Sequence, residues 1–140
     1  LQDVVNAAET AKNRVGLFIT MQTLEYLHRG GRIGEAAALL GSRLHIYPVL
    51  YLAEGRVKVA GATRSRRKAM ERILAFVAER ADERLKCASV FHADVPQEEL
   101  TWMETETRAR FTCEEFFVTE FTPVMGAHTG PGTIGVGFWY

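Results

Sequence analysis

The chain has 140 residues, the size of one domain, and 47% of them are hydrophobic, enough for a core without metal or disulfide staples. Its 17 basic and 17 acidic residues cancel, so no overall charge draws it to nucleic acid or to an anionic membrane. No apolar run approaches the roughly 20 residues of a membrane helix, and the opening residues carry no signal-peptide pattern, so a cytoplasmic protein without stable membrane insertion is expected.

Val4, Val5 and Ala8 predict a short opening helix that ends near Asn13. The chain enters this pattern directly from Leu1, without an initiator Met, and is expected to be part of a longer protein. Val15 to Ile19 is a compact β-type run. A helix over Thr23 to Arg29 follows, stopped by Gly30 and Gly31, and an Ala-rich helical segment runs from Glu35 to Leu40. Leu44 to Leu52 predicts a strand, whose Pro48 points to an edge position or a bulge. Glu54-Gly55 turns the chain and Arg56 to Val59 returns as a hairpin.

Ser65 to Glu83 is the clearest helix, with Ala69, Met70, Ile73, Leu74, Val77 and Ala81 on one face. Lys86 to His92 predicts a strand, and Pro96 opens a helix to about Arg108. Cys113 to Phe121 is another strand, then a Gly-rich loop, then a final strand from Thr133 to Tyr140. Cys87 and Cys113 form no CxxC pair and stand in strand-like stretches, which predicts two reduced, buried thiols. The mixture of hairpin and helical connections favours α+β: a two-layer mixed sheet of five to six strands with helices packed on it.

The sequence contains no HExxH, no GxxxxGK[ST] and no GxSxG, and its histidines (His28, His45, His92, His128) lack metal-ligand spacing. No catalytic residue, cofactor or metal site is therefore expected. The basic run Arg64 to Lys68 reads either as a nucleic-acid patch or as the solvated start of a helix. The second is favoured, because no aromatic residues interleave with it. At Tyr26-Leu-His-Arg-Gly-Gly-Arg-Ile33 a helix ends in Gly30 and Gly31, and Arg32 could hold a carboxylate or phosphate. The plainer reading is a helix C-cap whose arginine bonds the last carbonyls. At His128-Thr-Gly-Pro-Gly132, His128 and Thr129 offer donors to an anionic group beside a loop carrying Gly130 and Gly132. An ordinary tight turn would use the same residues.

Together these segments resemble the DegV family. Leu24 to Ile33 is similar to its LxYLxxGGRI signature, and Leu40-Gly-Ser42 with Ile46-Tyr-Pro-Val-Leu50 to its LGxxLxIKPIL block. Gly55 and Arg64 fit as well, and Ala127 to Gly132 with Gly135-Val-Gly-Phe138 resembles the terminal HTGPG and its hydrophobic strand. The resemblance implies that residues 1–140 are the C-terminal lipid-binding domain of a protein about twice as long, whose N-terminal α/β domain lies outside this chain. It implies a long-chain fatty acid as ligand, its tail within this domain and its carboxylate at the domain junction. A separate, dihydroxyacetone-kinase-like fatty acid kinase subunit would phosphorylate that carboxylate for phospholipid synthesis, so the chain itself would not be an enzyme. His128, then Thr129 and Arg32, match the head-group positions, supported by Gly30, Gly31, Gly130 and Gly132. The apolar faces of the Ser65–Glu83 helix and of the strands are the expected lining of the tail slot. Tyr47 departs from the pattern, since a lysine usually precedes the proline, and Arg43 and His45 depart beside it. The alternatives are an enzyme using His128 on a small molecule, and a regulatory or nucleic-acid-binding domain using Arg64 to Lys68.

Overall fold

The computed structural model describes residues 1–41, 45–81 and 83–140. Six strands, β1 (Val15–Thr20), β2 (Tyr47–Ala53), β3 (Arg56–Thr63), β4 (Arg84–Ala93), β5 (Thr112–Glu120) and β6 (Thr133–Trp139), form one sheet in the order β3-β2-β1-β6-β4-β5. β4 and β5 run parallel and the other neighbours antiparallel, so the sheet is mixed, as the sequence implied. The α-helices are α1 (Gln2–Lys12), α2 (Glu25–Arg29), α3 (Arg66–Arg80), α4 (Gln97–Arg110) and α5 (Pro123–Thr129).

Alternation along β1 sends Phe18 to one face of the sheet and Leu17 and Ile19 to the other. On the first face α3 buries Ala69, Met70, Ile73, Leu74 and Val77, and α4 buries Met103, against Val90, Val136 and Phe138. These two layers are the main core. Cations close its edge: Arg67 lies 3.7 Å over the Trp102 ring, Arg108 3.9 Å over Phe116, and Arg66 joins α3 to α4 through Glu99 at 3.0 Å. On the second face α2, α5 and a 3-10 segment at Gly34–Leu39 form a shorter, partial cover.

Several boundaries differ from the sequence reading for local reasons. Pro48 lies in an interior strand and not at an edge. It is tolerated because the β1–β2 ladder runs only from Phe18↔Tyr51 to Thr20↔Val49, and the β2–β3 register shifts between Val49 and Leu50, the bulge that the proline suggested. The Glu54-Gly55 turn is present, both residues at positive φ (54° and 72°), the geometry of a tight hairpin. The segment after Arg32 winds as 3-10 and not as α-helix, being only six residues long and starting from Gly34 at φ 52°. Ser65 caps α3 by accepting from the Lys68 amide (3.4 Å), but the helix stops at Arg80 and not near Glu83, because Ala81 is already extended toward β4. Pro96 is the N-cap of α4, one position before the first turn, and α4 runs on to Arg110.

The largest difference is α5, where a Gly-rich loop was expected. Thr122 accepts from the Met125 amide (3.5 Å) and Pro123 occupies the first turn, which together start a helix despite Gly126. Ser42, Arg43 and Leu44, with the expected strand start at Leu44, lie outside the described residues, as does Asp82.

Cys87 and Cys113 are free and half-buried, not fully buried as expected. Burial pushes both thiols up, reinforced at Cys87 by the Glu115 carboxylate and at Cys113 by Cys87. The thiolate is the reacting form, so alkylation of the native protein by iodoacetamide at neutral pH should be slower than that of a free cysteine and should accelerate as pH rises past the ordinary thiol range. Rates equal to those of the urea-unfolded protein across that range would contradict the assignment. Ala69 is fully buried on the sheet-facing side of α3, so Ala69→Trp should overpack the core and cost about 1–3 kcal/mol or more in urea unfolding.

Candidate functional site

The site begins with the way α2 ends. Gly30 remains in the right-handed region while Gly31 takes φ 66°. The Arg32 amide then reaches back to the Leu27 carbonyl (2.8 Å) and the Gly31 amide to that of His28 (3.0 Å), the paired bonds of a Schellman cap. The cap aims the chain along the sheet and puts Arg32 at the rim of the second face. One Arg32 nitrogen donates to the Gly30 carbonyl (3.3 Å), as the plainer reading anticipated, and the exposed guanidinium keeps further donors.

α5 approaches from the other end of the chain and ends at Gly130, φ 75°. The Thr133 hydroxyl donates to the Thr129 and Gly130 carbonyls, at 3.0 Å each, and closes the helix end. The two glycine motifs then interlock. A Cβ on Gly30 would overlap His128 Nδ1, and one on Gly130 would overlap the Tyr26 ring. Each motif thus supplies the glycine against which the other packs a ring. His128 is half-buried, with Nδ1 sealed against Gly30 and without a hydrogen-bond partner among the described residues. Nε2 is the ring nitrogen left open to a ligand. Thr129 is buried and its hydroxyl donates to the Met125 carbonyl (3.0 Å), so it donates to a ligand only by giving up that bond. Gly132, φ 72°, bonds the Ala93 carbonyl through its amide (2.8 Å) and ties the loop to the end of β4.

Beneath the interlock lies a pocket of about 550 Å³. Its floor is the second sheet face, chiefly Leu17, Ile19, Leu50 and Leu52; its roof includes Leu27, Met125 and His128. Gly34, Gly55 and Val57 bound one side, Phe91 and Phe121 the other. His128, Thr129, Gly31 and Arg32, all inferred from sequence, line it together, while Gly30, Gly130 and Gly132 stand behind them. Arg56 also lines it and was not anticipated. The lining, among the described residues, contains no carboxylate, thiol or lysine. Nearby, Lys58 donates to Glu54 (3.1 Å), a bond that raises its pKa and commits its charge to the hairpin. The arrangement is suited to an elongated apolar molecule with an anionic end.

The expectation that the Ser65–Glu83 helix helps line the slot is corrected: Ile73, Leu74 and Val77 fill the opposite face. The strands do line it, through residues such as Leu17 and Leu52 that the alternation of β1 and β2 could have singled out. The basic run is not part of the pocket. Arg66 is paired with Glu99, and Arg67 with Glu71 at 3.3 Å while covering Trp102. Among the described residues no group of three or more His, Cys, Asp or Glu could hold a metal ion.

A family model described as "Uncharacterised protein, DegV family" matches residues 1–140. The chain belongs to the DegV family. A DegV domain-containing protein of Streptomyces coelicolor is 36% identical over 137 residues, 97% of this chain and 48% of that protein. Protein DegV of Bacillus subtilis is 32% identical over 136 residues, 96% of this chain and 48% of its own length. The chain therefore spans about half the length of the curated relatives it matches. A solved DegV-family structure from Thermus thermophilus, described by its fatty acid binding, has a TM-score of 0.90 and 35% identity, covering 99% of this chain and 50% of that one. Within this DegV frame, Tyr47 donates or accepts a hydrogen bond with its neighbouring departure, His45 (3.1 Å, rings edge to face), so the two unusual residues form a local pair. Arg43 lies outside the described residues.

Because a methyl at Gly30 would collide with His128, Gly30→Ala should pry α2 from α5. The expected loss is about 1–3 kcal/mol in urea unfolding. An exchange-broadened or shifted His128 ring signal by NMR should accompany it, and an unmoved ring would show that the two motifs are not coupled.

Proposed function

We propose that this chain is the C-terminal, acyl-binding half of a fatty acid carrier, and that its pocket holds the ligand's tail. The observation that carries the reading is the pocket itself: an apolar floor and roof with the open His128 Nε2 and the Arg32 guanidinium at its rim. The similar Thermus thermophilus protein, described by its fatty acid binding, supports the ligand class.

The energetics agree. Each buried methylene contributes about 0.8 kcal/mol, so a dozen give roughly 10 kcal/mol, comparable to the cost of association. A carboxylate buried among such residues would cost several kcal/mol without donors. His128 and Arg32 are the donors we assign to it, with Thr129 contributing when its hydroxyl turns from Met125. Gly30, Gly31, Gly130 and Gly132 hold these groups in place. The carboxylate then lies at the junction with the remaining half of the protein, which accords with a chain spanning about half of its relatives.

In this reading the protein has no catalytic activity of its own. It works in the cytoplasm and presents the carboxylate to a separate, dihydroxyacetone-kinase-like fatty acid kinase subunit, which forms the acyl phosphate for phospholipid synthesis. The absence of a carboxylate, thiol or lysine from the described lining favours this over acid–base chemistry at His128. The pairing of Arg66 and Arg67 within the fold disfavours a nucleic-acid surface there. No described helix is long and apolar enough to cross a membrane, in line with a carrier that takes its ligand into a pocket.

Mass spectrometry of an organic extract from the purified full-length protein tests the reading, and a stoichiometric fatty acid is the expected result. His128→Ala should lower retention about tenfold or more, the loss of a charge-assisted hydrogen bond, in a protein that still unfolds cooperatively. A full-length protein that stays empty after incubation with a panel of free fatty acids would overturn the acyl-binding assignment.

A further inference from the structure

We propose that the stacked pair Phe91 and Phe121 is the gauge of the pocket, setting how long an acyl chain it accepts. The inference rests on the acyl-binding reading above and adds to it the wall that determines ligand length.

The argument starts from β6. Ile134, Val136 and Phe138 point into the core beneath α3, so the intervening Gly135 and Gly137 face the pocket side. Across β1 these glycines are the register partners of Ile19 and Leu17, two residues of the pocket floor. The floor therefore continues from β1 into a glycine trough on β6.

One aromatic ring fills that trough. Phe91, the register partner of Gly135 on β4, lays its ring across the neighbouring strand. A Cβ on Gly135 would stand 2.7 Å from two of its ring carbons, and one on Gly137 3.5 Å from a third. Phe91 can lie so low because Gly135 lacks a side chain; at Gly137 a Cβ would meet the ring at ordinary contact distance. Phe121, directly after β5, stacks on it with centroids 4.8 Å apart and planes 16° from parallel, and its amide donates to the His92 carbonyl (2.7 Å). Both rings are thus anchored to the sheet backbone, while Met125 in the roof is exposed and held by no such stack.

What lies past the pair makes it a gauge and not simply core. On the same face, the next row after Phe91 is Ser89, paired with Gly137 on one side and with Phe117 on the other. Phe117 is 48% exposed, so this row is open surface. Removing the Phe91 ring would extend the pocket along an empty trough, with no packed interior to refill it.

The test measures affinities of the full-length protein for saturated fatty acids from lauric to arachidic, by displacement of a fluorescent fatty acid. Phe91→Ala should move the best-bound chain toward longer homologues by about two methylenes, a change of about tenfold in the long-to-short affinity ratio. Phe91→Leu, which keeps a buried apolar side chain, should shift it the same way by less and carries the test if the alanine variant does not fold. An unchanged optimum in the folded variants would overturn the gauge while leaving the acyl reading intact. A wild-type protein that binds none of the series would overturn both.

Discussion

A sheet face that is roofed without being filled organises this protein. Both faces of the sheet are apolar in the strands that matter, but α3 and α4 close one of them down to full burial, whereas α2 and α5 stand off from the other. Protein interiors are close-packed, and unfilled apolar space costs stability in proportion to its volume. A pocket of about 550 Å³ is therefore a standing cost that the fully packed face must offset, and that an apolar occupant relieves. By linkage, whatever fills it stabilises the fold.

The stand-off depends on the interlock of two short glycine motifs nearly a hundred residues apart in sequence. Gly30 seats His128 and Gly130 seats Tyr26, so neither ring can be accommodated if its glycine gains a side chain. The same contact fixes the chemistry. It seals one nitrogen of His128 and leaves the other unsealed, at the end of a short helix that Thr133 ties to the start of β6. The polar groups thus sit on elements whose positions are set by packing.

The strand β6 links the two halves of this design. Its large residues complete the α3 side, and on the pocket side its Gly135 leaves the room that one aromatic ring fills. A single strand pattern of large and absent side chains thereby serves a dense core and a shaped cavity at once.

The sequence by itself determined the elements whose signals are local. The periodicity of Ala69 to Val77, the β-type run from Val15 to Ile19, the Glu54-Gly55 turn and the glycine caps of α2 all follow from backbone preference and one-sided burial, and the structure bears them out. The motif order at Gly30-Gly31-Arg32 and His128 to Gly132 was enough to group the residues that meet at one pocket rim. It was not enough to tell slot from core, because the apolar face of α3 looks the same whether it meets a ligand or a packed sheet. Which face each helix covers is decided by chain connectivity and crossing geometry, which no local pattern carries. The helical state of residues 123–129 was hidden by its glycine and emerged from Thr122, Pro123 and the seat offered by Gly30. The role of Gly135 and Gly137 was likewise undecided until Phe91, more than forty residues earlier in the chain, was placed over them. Only tertiary packing brings those partners together, since the space a glycine leaves has meaning only once another residue fills it.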